Sequence, residues 1–595
     1  MAVVVACYAR TLFAGWIWDD DFYVWNNPTL RSLRGLSEIW FVPRATPQYY
    51  PLVHTSYWLE YRIWGDWPAG YHLVNVLLHA ANAWLLWRVL VRLAVPAAWL
   101  GALLFAVHPV GVESVAWVTE RKNTLSLCLA LGSLLAWLEF REREATAAPG
   151  RWWWYSAALS LFAAALLAKT VTVTLAAALL VIEWWRSGRL TRRNLALTAP
   201  FFAVGLPLAF TTVWLEKHHV GASGAEWALT PAERLLVAGR AVWFYASKLL
   251  WPHPLVFFYP RWKLDPASVW QWAFPVTAAA TLAGLWLAAG RIGRGPAATA
   301  MLFCGLLFPA LGFFDVYPFR YSFVADHFQY HASAALLAGL AGGLGTLARR
   351  PGREWLPIAA ATVCLPLAAL TFRQTAIYRD VETLCRDTLA KNPSSWAARN
   401  ILAPWLTDQG RAAEADRVYR ELFACDDLPP WPHDLAMFRH NHGLALEALG
   451  RSAEAEAAYR EAIRLDPHYP KPRNNLAKLL ADSGRIDDAT TAYRDLLALP
   501  LDDVARGTYA FNLGTVLAEL ERWPEAEAAF RESLAIGPAV GDRVEWLGIV
   551  AARQGRVQEA IGHFERALNL ARDEAAAARV RANLTAARRA ASITP

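Results

Sequence analysis

The sequence predicts an all-α protein in which a polytopic membrane helix bundle is followed by an α-solenoid. Its 595 residues are 56% hydrophobic and 18% charged, with a mean hydropathy of +0.21, whereas soluble proteins carry about 25% charged residues. The deficit of charge falls before about residue 373, and the chain after about residue 380 is rich in Ala, Arg and Glu with helical periodicity. Two domains are therefore expected, one in lipid and one in water.

The first domain, residues 1–373, contains apolar stretches that approach the roughly 20 residues needed to span a bilayer as a helix. About eleven spans are predicted, at residues 2–17, 71–93, 96–118, 124–140, 152–167, 171–185, 195–215, 270–289, 297–314, 330–348 and 355–372. The first is short for a span. A cleaved signal peptide is the alternative there, although no small-residue cleavage site precedes residues 16–21.

Basic residues in short loops predict the orientation, because Lys and Arg are retained on the cytoplasmic side. With the N-terminus inside, every predicted cytoplasmic loop is rich in arginine: Arg88, Arg92, Arg141, Arg143, Arg151, Arg186, Arg189, Arg192, Arg193, Arg291, Arg294, Arg349, Arg350 and Arg353. The pattern predicts a multi-pass inner-membrane protein with a cytoplasmic N-terminus, in which the first long loop, residues 18–70, is external.

One further stretch, residues 231–250, is moderately apolar but carries four charges, at Glu233, Arg234, Arg240 and Lys248. We expect it to lie on the external face as an amphipathic helix within a segment at 231–262, not to span the bilayer. The chain then ends outside. A linker helix is predicted at 374–393 and the repeat domain at 394–590.

The repeat domain shows a period of about 34 residues in which small and aromatic residues recur at fixed offsets. Its marker residues are Ala403, Gly410, Ala415, Tyr419, Gly443, Ala455, Tyr459, Ala477, Gly484, Ala489, Tyr493, Gly514, Ala526, Phe530, Gly548, Gly555, Ala560 and Phe564. The pattern resembles the tetratricopeptide (TPR) family, with about five repeats. Such arrays form concave surfaces that bind polypeptides, so an exported polypeptide is the expected partner at this domain.

Three consecutive carboxylates, Asp19, Asp20 and Asp21, follow the first predicted span. Like charges this close repel one another, so at least one is expected to pair with a cation or a metal, or to have a raised pKa. A solvated acidic loop that only helps topology is the alternative.

Further polar residues lie in or beside the predicted spans, where ionisable groups are candidate functional residues. They are His79, His108, Glu113, Lys169, Asp315, Arg320, Asp326 and His327. Each alone fits a satisfied buried partner. As a group near the external ends of spans, they favour a site.

Five segments together resemble the transmembrane-and-TPR protein O-mannosyltransferases and their bacterial relatives, which are type C glycosyltransferases. The segments are WDDDFYVWNNP (18–28), YYPLVHTSYWLEYRIWGDWPAGYHLVNVLLHAANA (49–83), LLFAVHPVGVESVAWVTERKNTLS (103–126), LLAKTVTVTLA (166–176) and ADHFQYHASAALL (325–337). The resemblance implies a membrane transferase whose first external loop carries an acidic catalytic pair, here Asp19 and Asp20. It also implies a polyprenyl-phosphate-linked sugar as co-substrate.

The chain departs from that family pattern in two places. Lys169 is followed by Thr170 where the family has Lys-Glu, and Asp326 is followed by His327 and Phe328 where it has Asp-Arg-Tyr. Both changes remove a charged partner, so the donor or the use of metal could differ. No cofactor is certain, and a divalent metal stays open.

The resulting hypothesis is inverting transfer of the sugar to Ser/Thr hydroxyls of an exported protein, with Asp20 as general base and Asp19 as its neighbour. The remaining residues have supporting roles: Asp21 and Glu113 beside the acidic loop or a metal, Arg121, Lys122, Lys169, Arg320 and His327 at the donor phosphate, and Asp326 and His108 on the acceptor side.

Two other classes of protein stay open. One is another lipid-linked glycan enzyme, of the oligosaccharyltransferase or O-antigen ligase type, but the acidic first loop favours the single-sugar transferase. The other is a membrane-anchored TPR scaffold for envelope assembly or secretion, which would need only one spanning helix. Nucleic acid is not an expected partner, because much of the +7 formal charge lies in short loops between apolar stretches.

Overall fold

The computed structural model describes residues 1–222, 224, 227–348, 355–426, 428–536 and 540–593. Within this part of the chain every regular element is a helix, which confirms the predicted all-α class. The chain divides into two compact units, Met1–Ile401 and Leu402–Pro595, called here the membrane unit and the repeat unit. Arg349, Arg350 and Arg353 of the orientation argument lie outside the described residues.

The helices of the membrane unit differ widely in length. They are α1 (Ala2–Tyr8), α2 (Leu33–Phe41), α3 (Pro51–Trp64), α4 (Pro68–Arg92), α5 (Ala98–Val107), α6 (Val112–Ala116), α7 (Arg121–Ala145), α8 (Arg151–Ala168), α9 (Thr174–Ser187), α10 (Arg192–Leu215), α11 (Pro231–Leu250), α12 (Ala273–Ile292), α13 (Gly295–Leu307), α14 (Tyr330–Ala348), α15 (Leu356–Gln374), α16 (Val381–Lys391) and α17 (Trp396–Asp408), the last crossing the division between the units.

Six helical segments in the described residues are long and apolar enough to cross a membrane, or seven if one bent pair is counted as a span. The six are Pro68–Arg92, Val118–Ala145, Arg192–Val220, Val269–Ile292, Asp326–Ala348 and Leu356–Tyr378. They correspond to six of the predicted spans and are those of a multi-pass membrane protein. The predicted number of eleven is not confirmed.

The other predicted spans differ from a full-length apolar helix for local reasons. The stretch at 96–118 bends by 53° where His108 and Pro109 break the helix, because proline cannot donate to the helix before it. The helix at Arg151–Ala168 begins with Arg151 and three tryptophans, which lower its hydropathy. The remaining three give shorter helices, Ala2–Phe13, Thr174–Ser187 and Gly295–Ala310.

Two predicted accessory segments are helical but pack within the membrane unit. The helix at 231–250 forms as α11, with a Thr230–Glu233 capping box at its start, and it is not among the six long apolar helices. The predicted linker forms a turn at Thr375–Tyr378 and helix α16. Asn392, just after α16, donates from Nδ2 to the carbonyl of Phe258 at 2.9 Å, so this segment is fixed to the membrane unit.

The repeat unit is a succession of paired helices: α18 (Ala412–Phe423), α19 (Pro432–Ala448), α20 (Ser452–Leu465), α21 (Pro470–Asp482), α22 (Ile486–Leu497), α23 (Asp503–Glu519), α24 (Trp523–Ile536), α25 (Gly541–Arg553), α26 (Val557–Asn569) and α27 (Glu574–Ile593). The small residues of the repeat pattern have a steric cause. A Cβ added to Gly443 would lie 2.4 Å from the ring of Tyr459, and one added to Gly514 would lie 2.6 Å from the ring of Phe530.

Candidate active site

The acidic loop begins at Trp18, whose φ of 41° lies in the left-handed region that non-glycine residues rarely adopt. Its ring stacks on that of Trp117 with 5.5 Å between centroids. Phe257, Phe258 and Tyr321 meet it edge-on. These contacts hold the loop beside the turn at Val118–Glu120, which immediately precedes α7. A strained backbone fixed in this way is typical of functional sites.

Asp20 is fully buried, and both of its carboxylate oxygens accept hydrogen bonds. Oδ1 accepts from the backbone N–H and the hydroxyl of Thr119, at 2.9 and 2.6 Å, and Oδ2 accepts from the N–H of Ile17 at 3.0 Å. Burial raises the pKa of Asp20 to about 7, although these hydrogen bonds oppose the shift. This carboxylate therefore ties the acidic loop to the turn before α7 and has little capacity left for a substrate.

Asp19 is only partly buried, and no side-chain hydrogen bond of its carboxylate is found among the described residues. Burial raises the pKa of Asp19 to about 6, and the neighbouring Lys122 ammonium opposes the shift. Glu120 and His327 also lie within electrostatic reach of it. Of the two residues that the resemblance implies as a catalytic pair, Asp19 is the one whose oxygens remain available.

Next to Asp19 lies a group of buried polar side chains around Glu120, which is 1% exposed. Lys122 Nζ lies 3.0 Å from Glu120 Oε1, and Lys169 Nζ lies 3.4 Å from Oε2. Lys169 also donates to Asn123 Oδ1 at 2.8 Å, while Asn123 Nδ2 donates to Glu120 Oε2 at 2.6 Å. Two ammonium groups thus share a single carboxylate.

His327 completes this group and lies in the turn directly before α14. Its Nδ1 lies 2.8 Å from Glu113 Oε1, and its backbone N–H donates to Glu113 Oε2 at 3.2 Å. Its carbonyl accepts from Asn123 Nδ2 at 3.0 Å, and its Nε2 lies 3.9 Å from Glu120 Oε1. We call Glu113, Glu120, Lys122, Asn123, Lys169 and His327 the ionic cluster.

Gln48 and Glu216, which the sequence argument did not single out, extend the site beyond Lys122. Gln48 Oε1 lies 3.5 Å from Lys122 Nζ and accepts from the Tyr23 hydroxyl at 2.8 Å. Gln48 Nε2 donates to Glu216 Oε1 at 2.7 Å. Gln48 is uncharged and lies directly before the segment 49–83, outside the residues that carry the resemblance, so no sequence feature singled it out.

Two central members of the cluster, Glu120 and Asn123, were also missed. A signal for them was present, because Glu120 directly precedes Arg121 and Lys122 where an apolar helix begins. Three adjacent charges at the end of a span are rare unless they have partners.

Arg121, predicted to bind the donor phosphate, lies apart from the ionic cluster. It is 0% exposed and its guanidinium donates to both oxygens of Glu60, to the Asn75 side chain, to Ser56 Oγ at 3.2 Å and to the Tyr71 carbonyl at 2.9 Å. These bonds join α3 and α4 to α7. The guanidinium of Arg121 is therefore bound to residues of the fold and is not available to a phosphate.

Two predicted acceptor-side residues are likewise occupied by contacts within the fold. Asp326 accepts from the Tyr259 hydroxyl at 3.0 and 3.1 Å. His108 Nδ1 accepts from the N–H of Val110 at 3.3 Å, and its Nε2 lies 3.2 Å from the carbonyl of Leu249.

The other predicted residues lie at the edge of the site. Arg320 donates to the Tyr317 hydroxyl at 2.7 Å and lies 5.6 Å from the ring of Tyr321, one of the rings around Trp18. Asp21 is partly buried and accepts from the N–H of Phe22 at 2.8 Å. The described residues contain no group of three His, Cys, Asp or Glu side chains arranged to hold a metal ion.

An apolar groove of about 970 Å³ lies among the long helices of the membrane unit, and its lining includes Leu86, Leu134, Ala178, Leu282, Phe303 and Leu336. Its few polar lining residues include Thr172 and His331. Thr172 donates from Oγ1 to the carbonyl of Lys169 at 2.8 Å, and His331 Nε2 lies 3.0 Å from Ser126 Oγ, one turn beyond Lys122 on α7. One part of the groove therefore adjoins the ionic cluster.

Comparison with known proteins gives results for the repeat region. Residues 438–469, 474–540 and 547–578 match the family described as tetratricopeptide repeat. Among solved structures, the TPR protein YrrB aligns with 33% of this chain and 97% of its own, at 16% identity and a TM-score of 0.27.

Three curated relatives are protein O-mannosyl-transferases, matched over the repeat region. Tmtc1 of Drosophila melanogaster is 35% identical over 153 residues, 24% of this chain and 17% of the relative. TMTC3 of Mus musculus is 31% identical over 147 residues, 23% and 16% of the two chains. TMTC4 of Homo sapiens is 30% identical over 173 residues, which are 25% of this chain and 23% of the relative. These matches thus span less than a quarter of each relative. The repeat region is therefore made of tetratricopeptide repeats, and over this region the chain is similar to the TMTC protein O-mannosyl-transferases.

Proposed function

We propose that this chain is a membrane glycosyltransferase that moves a sugar from a polyprenyl-phosphate-linked donor to Ser or Thr hydroxyls of an exported polypeptide. The observation that carries the proposal is the position of Asp19, an available carboxylate beside Lys122, which shares the Glu120 carboxylate with Lys169. The names of the curated relatives support the same class of reaction. A bacterial inner-membrane location, with the N-terminus cytoplasmic and the repeat unit external, is part of the proposal.

In the proposed reaction, Asp19 acts as the general base. It accepts the proton of the acceptor hydroxyl while that oxygen forms a bond to the anomeric carbon of the sugar. The bond from this carbon to the phosphate oxygen breaks, and the electron pair leaves with the polyprenyl phosphate. Attack from the face opposite the leaving group inverts the configuration at carbon. Asp20 does not touch the substrate. Its hydrogen bonds to Thr119 hold the acidic loop, and with it Asp19, in place.

Lys122 and Lys169 are proposed to stabilise the phosphate, because ammonium groups next to developing negative charge lower the barrier most in a dry site. The apolar groove supports a lipid-linked donor, since its polar part adjoins Lys169 and its remaining lining suits an isoprenoid chain. Arg121 receives no role at the phosphate, because Glu60 and three other partners occupy it.

The test is transfer by the purified full chain in detergent, with a polyprenyl-phosphate sugar as donor and a Ser/Thr-rich peptide as acceptor. Asp19→Asn should lower kcat by about 10² or more, with the thermal unfolding midpoint unchanged, since Asn keeps the shape of the side chain. Asp21→Asn is the matched control and should retain most activity. Runs with and without chelator report on the metal requirement.

Equal rates for Asp19→Asn and the wild type would remove Asp19 as the base. If the wild type itself transferred no sugar from a panel of such donors, the proposed function would fall and a non-catalytic scaffold would take its place.

A further inference from the structure

Glu216 is a buried carboxylate of the membrane unit to which the proposed mechanism assigns no role. It lies directly after α10 and is 7% exposed. Its Oε1 accepts from Gln48 Nε2 at 2.7 Å, and its Oε2 accepts from the backbone N–H of Tyr317 at 3.4 Å, which is long for such a bond. Among the described residues, no lysine, arginine or histidine forms an ion pair with it.

Glu183, another buried glutamate of the same unit, is fully paired. It is 5% exposed and accepts four hydrogen bonds, from Trp137, Arg141 and Asn194, at 2.8 to 3.1 Å. An ionised carboxylate has about four acceptor sites, and burying it is costly unless they are filled. Glu216 therefore has acceptor capacity that the fold leaves unused, and a ligand with hydroxyl groups can fill it.

Gln48 lies between Glu216 and the lysine proposed to bind the phosphate. Its Oε1 accepts from the Tyr23 hydroxyl at 2.8 Å and lies 3.5 Å from Lys122 Nζ. An ammonium only donates and an ionised carboxylate only accepts, so the amide oxygen faces Lys122 and the amide nitrogen faces Glu216. The backbone carbonyl of Gln48 accepts two bonds from its own loop, at 3.0 and 2.9 Å, and these hold the amide in place.

These two side chains lie where the sugar of a lipid-phosphate donor would be. A single oxygen joins the phosphate to the anomeric carbon, so the sugar is adjacent to the cation that binds the phosphate. The other polar groups near Lys122 are Glu120, Asp19 and Gln48. Glu120 is held in the ionic cluster, and Asp19 is needed at the acceptor hydroxyl. The amide of Gln48 and the carboxylate of Glu216 are then available to the sugar.

Carboxylates and carboxamides are suited to sugar hydroxyls. A carboxylate can accept from two neighbouring hydroxyls at once, and an amide can both donate and accept. A uronic acid would place a second negative charge beside Glu216, and like charges this close repel. A deoxy sugar would leave a buried acceptor unfilled, and sites of this kind reject an analogue that lacks the hydroxyl.

We propose that Glu216 and Gln48 bind hydroxyl groups of the donor sugar and select a neutral, fully hydroxylated hexose. The inference rests on the proposed function in one respect, that the donor is a sugar joined to a polyprenyl phosphate. It extends that function by assigning the recognition of the sugar to residues that take no part in the chemical step.

The experiment measures donor binding without any acceptor, so its result does not depend on transfer. The full chain in detergent is titrated by microscale thermophoresis with polyprenyl phosphate and with its glucosyl, mannosyl, galactosyl and glucuronosyl esters. The wild type should bind at least one hexosyl ester about tenfold or more tightly than polyprenyl phosphate itself. It should bind the glucuronosyl ester at least about tenfold more weakly than that hexosyl ester. These comparisons need no protein variant, so a folding defect cannot explain them.

Glu216→Gln keeps the shape of the side chain and removes its charge. This variant should bind polyprenyl phosphate like the wild type, with an unchanged thermal midpoint, and the preferred hexosyl ester about tenfold more weakly. Glu142→Gln, at an exposed glutamate on α7, is the control and should bind both ligands like the wild type. A purely structural role of Glu216 would weaken the binding of both ligands alike.

Monodeoxy forms of the preferred hexosyl ester identify the hydroxyl that Glu216 binds. At least one should bind the wild type about tenfold more weakly than the parent ester, yet bind Glu216→Gln within about twofold of it. Equal binding of polyprenyl phosphate and every hexosyl ester by the wild type would overturn the inference. So would losses that are the same in the wild type and the variant for every deoxy ester. Sugar-dependent binding without any transfer would overturn the proposed function and leave this inference standing.

Discussion

In the membrane unit, Glu120 is 1% exposed and lies within 3.4 Å of two ammonium groups. In the repeat unit, Arg494 and Glu525 meet at 3.0 Å with side chains 60% and 42% exposed. Carboxylates pair with cations in both units, but the effect of the pairing on stability differs. A buried ion pair is costly to form and costly to break, whereas an exposed pair is screened by water and contributes little.

The difference indicates what each set of charges is for. In the repeat unit, most ion pairs join residues three or four apart or neighbouring helices on the surface, as in Arg531 with Glu527 and Glu559, where water screens them. In the membrane unit, several charges converge on one place against the cost of burial. Convergence of this kind favours a site that stabilises charge in a reaction.

The largest expected effect comes from Glu120→Gln, which leaves Lys122 and Lys169 buried beside each other without their shared carboxylate. Breaking such a group should cost about 3–5 kcal/mol in the free energy of unfolding and abolish transfer. A titration with mixed detergents measures the free energy of unfolding, and the transfer assay measures the loss of activity. Glu38→Gln, at an exposed pair with Arg34, serves as control, and comparable losses in both variants would contradict the comparison.

The pH dependence of transfer should follow Asp19. Burial raises the pKa of Asp19 to about 6, and the base must be deprotonated to accept a proton. Transfer should therefore rise about tenfold per pH unit below pH 6 and level off above it. Initial rates of the full chain between pH 4.5 and pH 8, taken after confirming that the protein stays folded, test this. A profile that is flat across pH 6 would argue against a carboxylate base at this position.

Asp20→Asn should act mainly on stability. The NH₂ group of Asn must face either the N–H of Ile17 or that of Thr119, which leaves a buried donor unpaired at a cost of about 1–3 kcal/mol.

The stability effect of Asp20 should also depend on pH. The pKa of Asp20 is about 7 in the folded chain and about 3.9 in an unfolded one. Its protonation therefore contributes stability that is complete below about pH 4 and is lost as the pH rises through 7. Thermal midpoints of the wild type and Asp20→Asn at pH 5 and pH 8 check the sign, and a wild type stabilised by the higher pH relative to the variant would contradict it.

The smallest effect belongs to the repeat unit. Arg494→Ala removes an exposed partner of Glu525 and should change the free energy of unfolding by about 0–1 kcal/mol, less at high salt. Peptide binding should be unchanged. A loss as large as that of Glu120→Gln would mean that surface pairs, not buried ones, stabilise this protein.

The sequence by itself determined the all-α class, the position of six apolar helices and the repeat array. These depend on local properties, namely the length of apolar stretches and small residues recurring beside Tyr459 and Phe530, and such properties are readable along the chain. The acidic loop was also visible, as three adjacent carboxylates need partners wherever they lie.

Only the tertiary structure decided how the site is arranged. Whether Asp19 or Asp20 keeps free oxygens depends on Thr119, 99 residues further along the chain, and whether Arg121 is available depends on Glu60, 61 residues before it. Glu120 joins the site because Lys169 and His327 arrive from distant helices. Hydropathy also hid the bend after Val107, since a break in a helix leaves its apolar composition unchanged. The sequence predicts which groups carry charge, but their pairing is a long-range property that packing alone determines.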